Sequence, residues 1–271
     1  MSTTETRKIA GFPTHVLRLG RGVRRALFIH CTLGHVATWS PVQAALLDKL
    51  AMTSFDRPSH GKSGDWSGEG GAWGLHDLTT RIAAALIDKR ADIVGHSYGA
   101  TVALRLAMER PGMVRSLTLI EPPLFALARG TPAHEAHMAA MAGFGTALEA
   151  GDREAAARIF QSAMNPEAPW EGLPERARAR LAGRIERIAE ERGVTLDDAP
   201  GLTLPGRIEA LGLPVLLIEG SAAPPIVRAV HEALAARLPQ AQRVMIAGAG
   251  HMSPLTHPEG VAGEIAAFLK V

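Results

Sequence analysis

With Cys31 as its only cysteine, the chain cannot form an internal disulfide, and a zinc site built from cysteines is not expected. No stretch approaches the roughly 18 consecutive apolar residues of a membrane-crossing helix, so none is expected. The polar start, Met1–Lys8, lacks a basic region followed by an apolar core and a small-residue cleavage site. No secretion signal is therefore expected, and the expected location is cytoplasmic. Charge of one sign is also scarce: the net charge is only +2, despite a pI near 9.0. That balance gives no nucleic-acid signal, and no nucleic-acid or membrane partner is expected. Arginines gather in 175–192, but acidic residues alternate with them, which reads as a solvated, salt-bridged helix face. There is no internal repeat and no low-complexity tract.

What remains is an ordinary globular composition, 46% hydrophobic and 21% charged, in 271 residues. That length suffices for one sizeable core, alone or with a smaller appended domain. Short apolar runs alternate with helical patterns. Arg25–His30, Met52–Phe55, Asp92–Gly95 and Leu117–Ile120 read as strands. The spacing predicts helices from Trp39 through Leu50, over Leu75–Ile87 and over Ala100–Glu109. From about Pro122 to Gly206 there are helical patterns but no convincing strand. Thr131-Pro132 is a helix start, Asp152 can cap a helix to Ala163, and Leu181, Ile185 and Ile188 share one stripe. Alternation then resumes with strand Pro214–Ile218, helix Val227–Leu238, strand Arg243–Ile246 and helix Pro258–Leu269. Strands separated by helices need crossover connections, so the expected fold is α/β, a mostly parallel sheet with helices on both faces. The expected division is a core of 1–121 and 207–271, with a helical cap over 122–206.

The strongest local signal is Gly95-His96-Ser97-Tyr98-Gly99, a Gly-x-Ser-x-Gly motif between a predicted strand and a predicted helix. A sharp strand-to-helix turn leaves no room for flanking side chains and projects the serine hydroxyl above the sheet. A serine hydroxyl is a weak nucleophile at neutral pH and needs an adjacent base. Among 11 histidines, His251 follows the last predicted strand in a glycine-containing loop. His257 immediately precedes a helix and reads as an ordering or surface residue. His96, inside the turn, is directed away from the serine. Cys31 reads as a small buried packing residue.

Taken with His30-Cys31-Thr32, the stretch Phe55–Ser63 and Gly248-Ala249-Gly250-His251, this motif resembles the α/β-hydrolase superfamily in its capped, esterase-like branch. The resemblance covers nearly all of 25–271. It implies an eight-stranded sheet, a helical cap after strand six and hydrolysis without a cofactor or metal. It also implies that His251 is the base and that His30 is a structural residue of the oxyanion loop. Asp56–Ser63 reads as structural support near the site. The superfamily usually seats its acid after strand seven in a Gly-x-x-Asp pattern, but here that position holds Ala223, and no aspartate follows Asp198. Some members seat the acid at the end of strand six, where this chain has Glu121, and the order Ser97, Glu121, His251 is preserved. The alternatives for Glu121 are a carboxylate that only orders the start of the cap, or a serine–histidine dyad; Glu219 is expected to point elsewhere.

Two N–H donors must meet the oxyanion of a tetrahedral intermediate, and Tyr98 and Thr32 are the candidates. The superfamily normally reads His-Gly at the oxyanion loop, and Cys31 restricts the backbone where glycine would be free. The expected partner is a small molecule. Phe125, Met141, Phe144 and Trp170 are the candidate substrate-lining residues, each with core packing as its alternative. The activity expected is acyl transfer on a small, fairly apolar ester or related carbonyl compound. A carbon–carbon-bond hydrolase or lyase using the same residues is one alternative, and a non-catalytic ligand receptor on a degenerate fold is another.

Overall fold

The computed structural model describes residues 2–271, the side chain of Ala72 excepted. It opens with a hairpin of β1 (Thr3–Ile9) and β2 (Phe12–Leu19), followed by β3 (Arg24–Ile29), α1 (Ser40–Ala45) and β4 (Leu50–Phe55). Next come α2 (Gly74–Ala85), β5 (Ala91–His96), α3 (Tyr98–Glu109) and β6 (Val114–Ile120). The segment before the next strand is helical: α4 (Pro132–Ala140), α5 (Phe144–Glu149), α6 (Arg153–Met164), α7 (Glu175–Ala182), α8 (Glu186–Glu190) and α9 (Arg192–Thr195). The chain closes with β7 (Val215–Gly220), α10 (Pro225–Arg237), β8 (Ala241–Ile246), α11 (Ser253–Thr256) and α12 (Pro258–Leu269).

The eight strands form one sheet in the order β1-β2-β4-β3-β5-β6-β7-β8. Only the β1–β2 and β2–β4 pairings are antiparallel. Alternation along each strand feeds two separate cores, because successive side chains leave opposite faces. Leu27, Ile29, Ile93, Leu117 and Leu217 face the core shared with α2, α3 and α10. Ala26, Phe28, Val94, Leu216 and Ile218 face the core shared with α1 and α12. The helical segment has a smaller cluster of its own, centred on Phe144, Ala156, Ala157, Trp170 and Ile185.

Two sequence expectations differ from the structure. The helix expected through Leu50 ends at Ala45 and Leu50 opens β4; Leu46 and Leu50, both buried in the α1/α12 core, mimic the four-residue spacing of a helix face. The hairpin β1–β2 has no counterpart in the apolar pattern: β1 is exposed at every position but Ile9.

From β3 the chain steps to β4 on one side and later to β5 on the other, so the order reverses between β3 and β5. The carboxyl ends of strands at such a reversal leave a crevice where open α/β sheets bind ligands. Thr32 follows β3 and Ser97 follows β5, on opposite sides of that crevice.

Candidate active site

Ser97 is the first residue past β5 and has φ 53° and ψ −128°, a conformation that costs a non-glycine residue about 1–3 kcal/mol. Its N–H is anchored to the Ile120 carbonyl at 2.8 Å. The flanking glycines permit the turn. A Cβ on Gly95 would come within 2.5 Å of the Ala100 backbone, and one on Gly99 within 2.2 Å of the Ile29 carbonyl oxygen.

Glu121 follows β6, next to β5 in the sheet, also with a positive φ of 47°. Its Oε1 accepts the Gly220 N–H at 2.7 Å, and its Oε2 lies 2.7 Å from His251 Nδ1. His251 Nε2 lies 3.0 Å from Ser97 Oγ. A carboxylate only accepts, so Nδ1 carries the imidazole proton and Nε2 is left to accept from the serine hydroxyl. The structure thus brings Ser97, His251 and Glu121 into one buried hydrogen-bonded chain. Ala223 lies in the turn after β7, its N–H bonded to the Gly220 carbonyl. Glu219 turns toward β8, where its carboxylate pairs with Arg243 at 2.8 Å.

Buried histidines hold the surrounding loops. His96 Nε2 donates to the His251 carbonyl at 2.8 Å, fixing the backbone of the loop that carries the imidazole. Burial, with the neighbouring His251 second, pulls His96 down to about 3, so it stays neutral. His30 accepts the Arg57 N–H on Nε2 at 2.9 Å and donates Nδ1–H to the Cys31 carbonyl at 2.7 Å. His60, held down at about 3 chiefly by burial, accepts the Leu33 N–H. Asp56 takes the Val36 and Lys62 N–H groups on its two oxygens, tying the loops after β3 and β4 together. Within the stretch Asp56–Ser63, Asp56 and His60 thus both bond the loop after β3. Cys31 is buried, and burial pushes its thiol up to about 12, which keeps it un-ionised. His257 is half-buried before α12, where its ring Nδ1 lies 2.9 Å from the Thr256 hydroxyl.

Tyr98 opens α3, where the backbone N–H has no acceptor within the helix. Thr32 and Ser97 line the same cavity, of about 310 Å3, with His251. Most of the remaining wall is apolar and comes from the helical segment. Phe125, Met141 and Phe144 line the cavity, as do Phe160 and Met164. Trp170 does not: its indole is buried inside the segment's own cluster, so its apolar character serves packing.

Two carboxylates of the segment also stand near the site without having been singled out by the sequence. Glu167 lays its carboxylate against Gly250, where a Cβ would meet Oε1 at 1.8 Å, and burial raises its carboxyl above the ordinary value. Glu191 belongs to the arginine-rich stretch expected to be a solvated face. That face exists, with Arg153–Glu186 and Arg187–Glu190 pairs exposed or half-exposed. Glu191, only 2% exposed, leaves it to pair with buried Arg57 and the Thr32 hydroxyl. No sequence signal separates it from the other carboxylates of that run. Among the described residues there is no cluster of three or more His, Cys, Asp or Glu suited to a metal ion. Nor is any helix long and apolar enough to cross a membrane.

A sheet of this order, with a serine turn after β5 and a histidine loop after β8, defines the class. The chain matches the alpha/beta hydrolase family over residues 26–264, and it belongs to that family. It is similar to Lipase LipV of Mycobacterium tuberculosis, 35% identical over 113 residues, covering 40% of this chain and 41% of that one. It is also similar to the pimeloyl-[acyl-carrier protein] methyl ester esterase of Methylococcus capsulatus, 38% identical over 123 residues, covering 43% and 44% of the two chains. The chain thus spans less than half the length of these curated relatives. Among solved structures, an alpha/beta hydrolase from Sphaerobacter thermophilus superposes with a TM-score of 0.72 at 22% identity, over 98% of this chain and 100% of that one. The likeness to it is one of fold.

Proposed function

We propose that the protein is a serine hydrolase that cleaves a small, fairly apolar ester or related carbonyl compound through an acyl-enzyme. The observation that carries this reading is the unbroken chain Ser97 Oγ, His251 Nε2, His251 Nδ1, Glu121 Oε2, with links of 3.0 and 2.7 Å, beside a largely apolar cavity. Relatives named as a lipase and a methyl ester esterase fit the same chemistry. In the first step His251 Nε2 takes the Ser97 proton as Oγ attacks the carbonyl carbon. Glu121 holds the imidazole in the Nδ1–H tautomer and stabilises the imidazolium that forms. The N–H groups of Tyr98 and Thr32 receive the oxyanion. The imidazolium then protonates the leaving group, and water repeats the sequence on the acyl-enzyme, restoring Ser97. Residues 122–206 serve as the cap, supplying the apolar wall for the substrate, with 1–121 and 207–271 as the core.

Turnover of a short activated ester by the purified protein, with Ser97→Ala as control, tests this directly. Hydrolysis lost in Ser97→Ala with an unchanged melting temperature is expected. Retained full activity would remove the serine from the mechanism.

A further inference from the structure

Glu191 sits at the junction of α8 and α9, at the foot of the cap, and lines the cavity together with Ser97 and His251. Its two carboxylate oxygens reach different loops of the core. Oε2 accepts the Thr32 hydroxyl, in the loop after β3. Oε1 accepts from Arg57 Nη2, in the loop after β4. The Arg57 guanidinium in turn lies over the Tyr98 ring, 4.2 Å from its centroid. One cap carboxylate therefore touches Thr32 directly and reaches Tyr98 through a stacked guanidinium.

We propose that Glu191 is a positioning residue that sets both oxyanion donors, Thr32 through its hydroxyl and Tyr98 through Arg57, so that the oxyanion hole is complete only with the cap seated. This rests on the serine-hydrolase reading above and adds to it a residue outside the hydrogen-bonded chain. The loop after β3 gives the device a reason. Cys31 stands where the superfamily has glycine, and Leu33 has φ 62°, so the backbone on both sides of Thr32 is constrained. His30 bonds the Cys31 carbonyl and His60 the Leu33 N–H. Those core contacts grip the neighbours of Thr32, and Glu191 grips its side chain. Arg57 is fully buried, and its charge opposes the burial that raises the Glu191 carboxyl. Arginine stacked on an aromatic face and paired with a carboxylate is also a geometrically fixed unit. An oxyanion donor misplaced by a fraction of an ångström loses much of its effect on the transition state while leaving ground-state binding almost unchanged.

The test is steady-state hydrolysis of a short activated ester by the full chain, with Thr32→Val, Thr32→Ser, Glu191→Ala and the Thr32→Val/Glu191→Ala double variant. Thr32→Val and Glu191→Ala should each lower kcat by ~10–100-fold with KM changed less than about threefold. The double variant should be no slower than the slower single variant, and Thr32→Ser, which keeps the hydroxyl, should recover most of the kcat lost in Thr32→Val. Independent multiplication of the two losses, a loss carried by KM alone, or equal damage from Thr32→Ser and Thr32→Val would overturn the proposal. If Glu191→Ala does not fold, Thr32→Val decides: unchanged kcat overturns the link, and a loss rescued by Thr32→Ser supports it. A parent protein with no Ser97-dependent hydrolysis would instead overturn the hydrolase reading, and this proposal with it.

Discussion

Replacing Glu121 by glutamine exchanges one carboxylate oxygen for an NH2 group at the centre of the site, and the two hydrogen bonds there dictate the consequence. The carboxylate accepts from His251 Nδ1 on one oxygen and from the Gly220 N–H on the other, each at 2.7 Å. An amide has only one oxygen. If that oxygen stays with Gly220, the NH2 group faces Nδ1, which must give up its proton and become an acceptor. The imidazole proton then moves to Nε2 and points at Ser97, so the base cannot take the hydroxyl proton. If the amide is turned round, its NH2 group opposes the buried Gly220 N–H, leaving donors unpaired at a cost of about 1–3 kcal/mol. The first arrangement is therefore favoured, and it is the inactive tautomer. The expected loss in kcat is ~10^4-fold, the scale seen when a triad acid is made neutral, or about 5 kcal/mol of transition-state stabilisation. The assay is kcat and KM on a short activated ester, with thermal melting as the check on folding. Activity within about threefold of the parent, in a folded protein, would refute Glu121 as the acid.

Two further outcomes are expected from the cavity and from the buried histidines. At ~30 Å3 per water-sized group, the cavity of about 310 Å3 holds about ten non-hydrogen atoms. In a panel of p-nitrophenyl esters, kcat/KM should therefore rise by up to about fourfold per added methylene and then fall for long chains; a strict preference for acetate or for palmitate would refute this assignment of the cavity. His60, His96 and His231 are held near 3 chiefly by burial, while the unfolded chain binds these protons near pH 6.5. The stability they contribute is full above about pH 6.5 and is lost as the pH falls toward 3, by about 2 kcal/mol each between pH 7 and 5. Denaturant melts at the two pH values should show that drop, and an unchanged midpoint would contradict the buried neutral state.

The parts of this molecule that were legible in the sequence are those where one physical demand dominates. Buried strands such as Asp92–Gly95 and Pro214–Ile218 announce themselves as apolar runs because both faces of the sheet are covered. The turn around Ser97 is legible because only glycine tolerates the backbone approach at 95 and 99. Strand β1 was not, since an edge strand exposed on both faces carries no alternation. Leu46 and Leu50 misled because helix and strand can bury leucines four apart in one core. Trp170 and Phe144 look alike in sequence, yet only Phe144 reaches the cavity. Glu191 lies in a run of charges whose other members are solvated. Its buried partner is Arg57, 134 residues away in the chain, and no local pattern carries that pairing.

Every step of the proposed chemistry depends on Ser97 being an activated nucleophile. A fluorophosphonate reacts with such a serine irreversibly, and mass spectrometry of the digested protein locates the adduct. One adduct per chain on the peptide carrying Ser97, absent from Ser97→Ala and strongly slowed in Glu121→Gln, is the result predicted. An unlabelled native protein, or labelling that survives in Ser97→Ala, would contradict it.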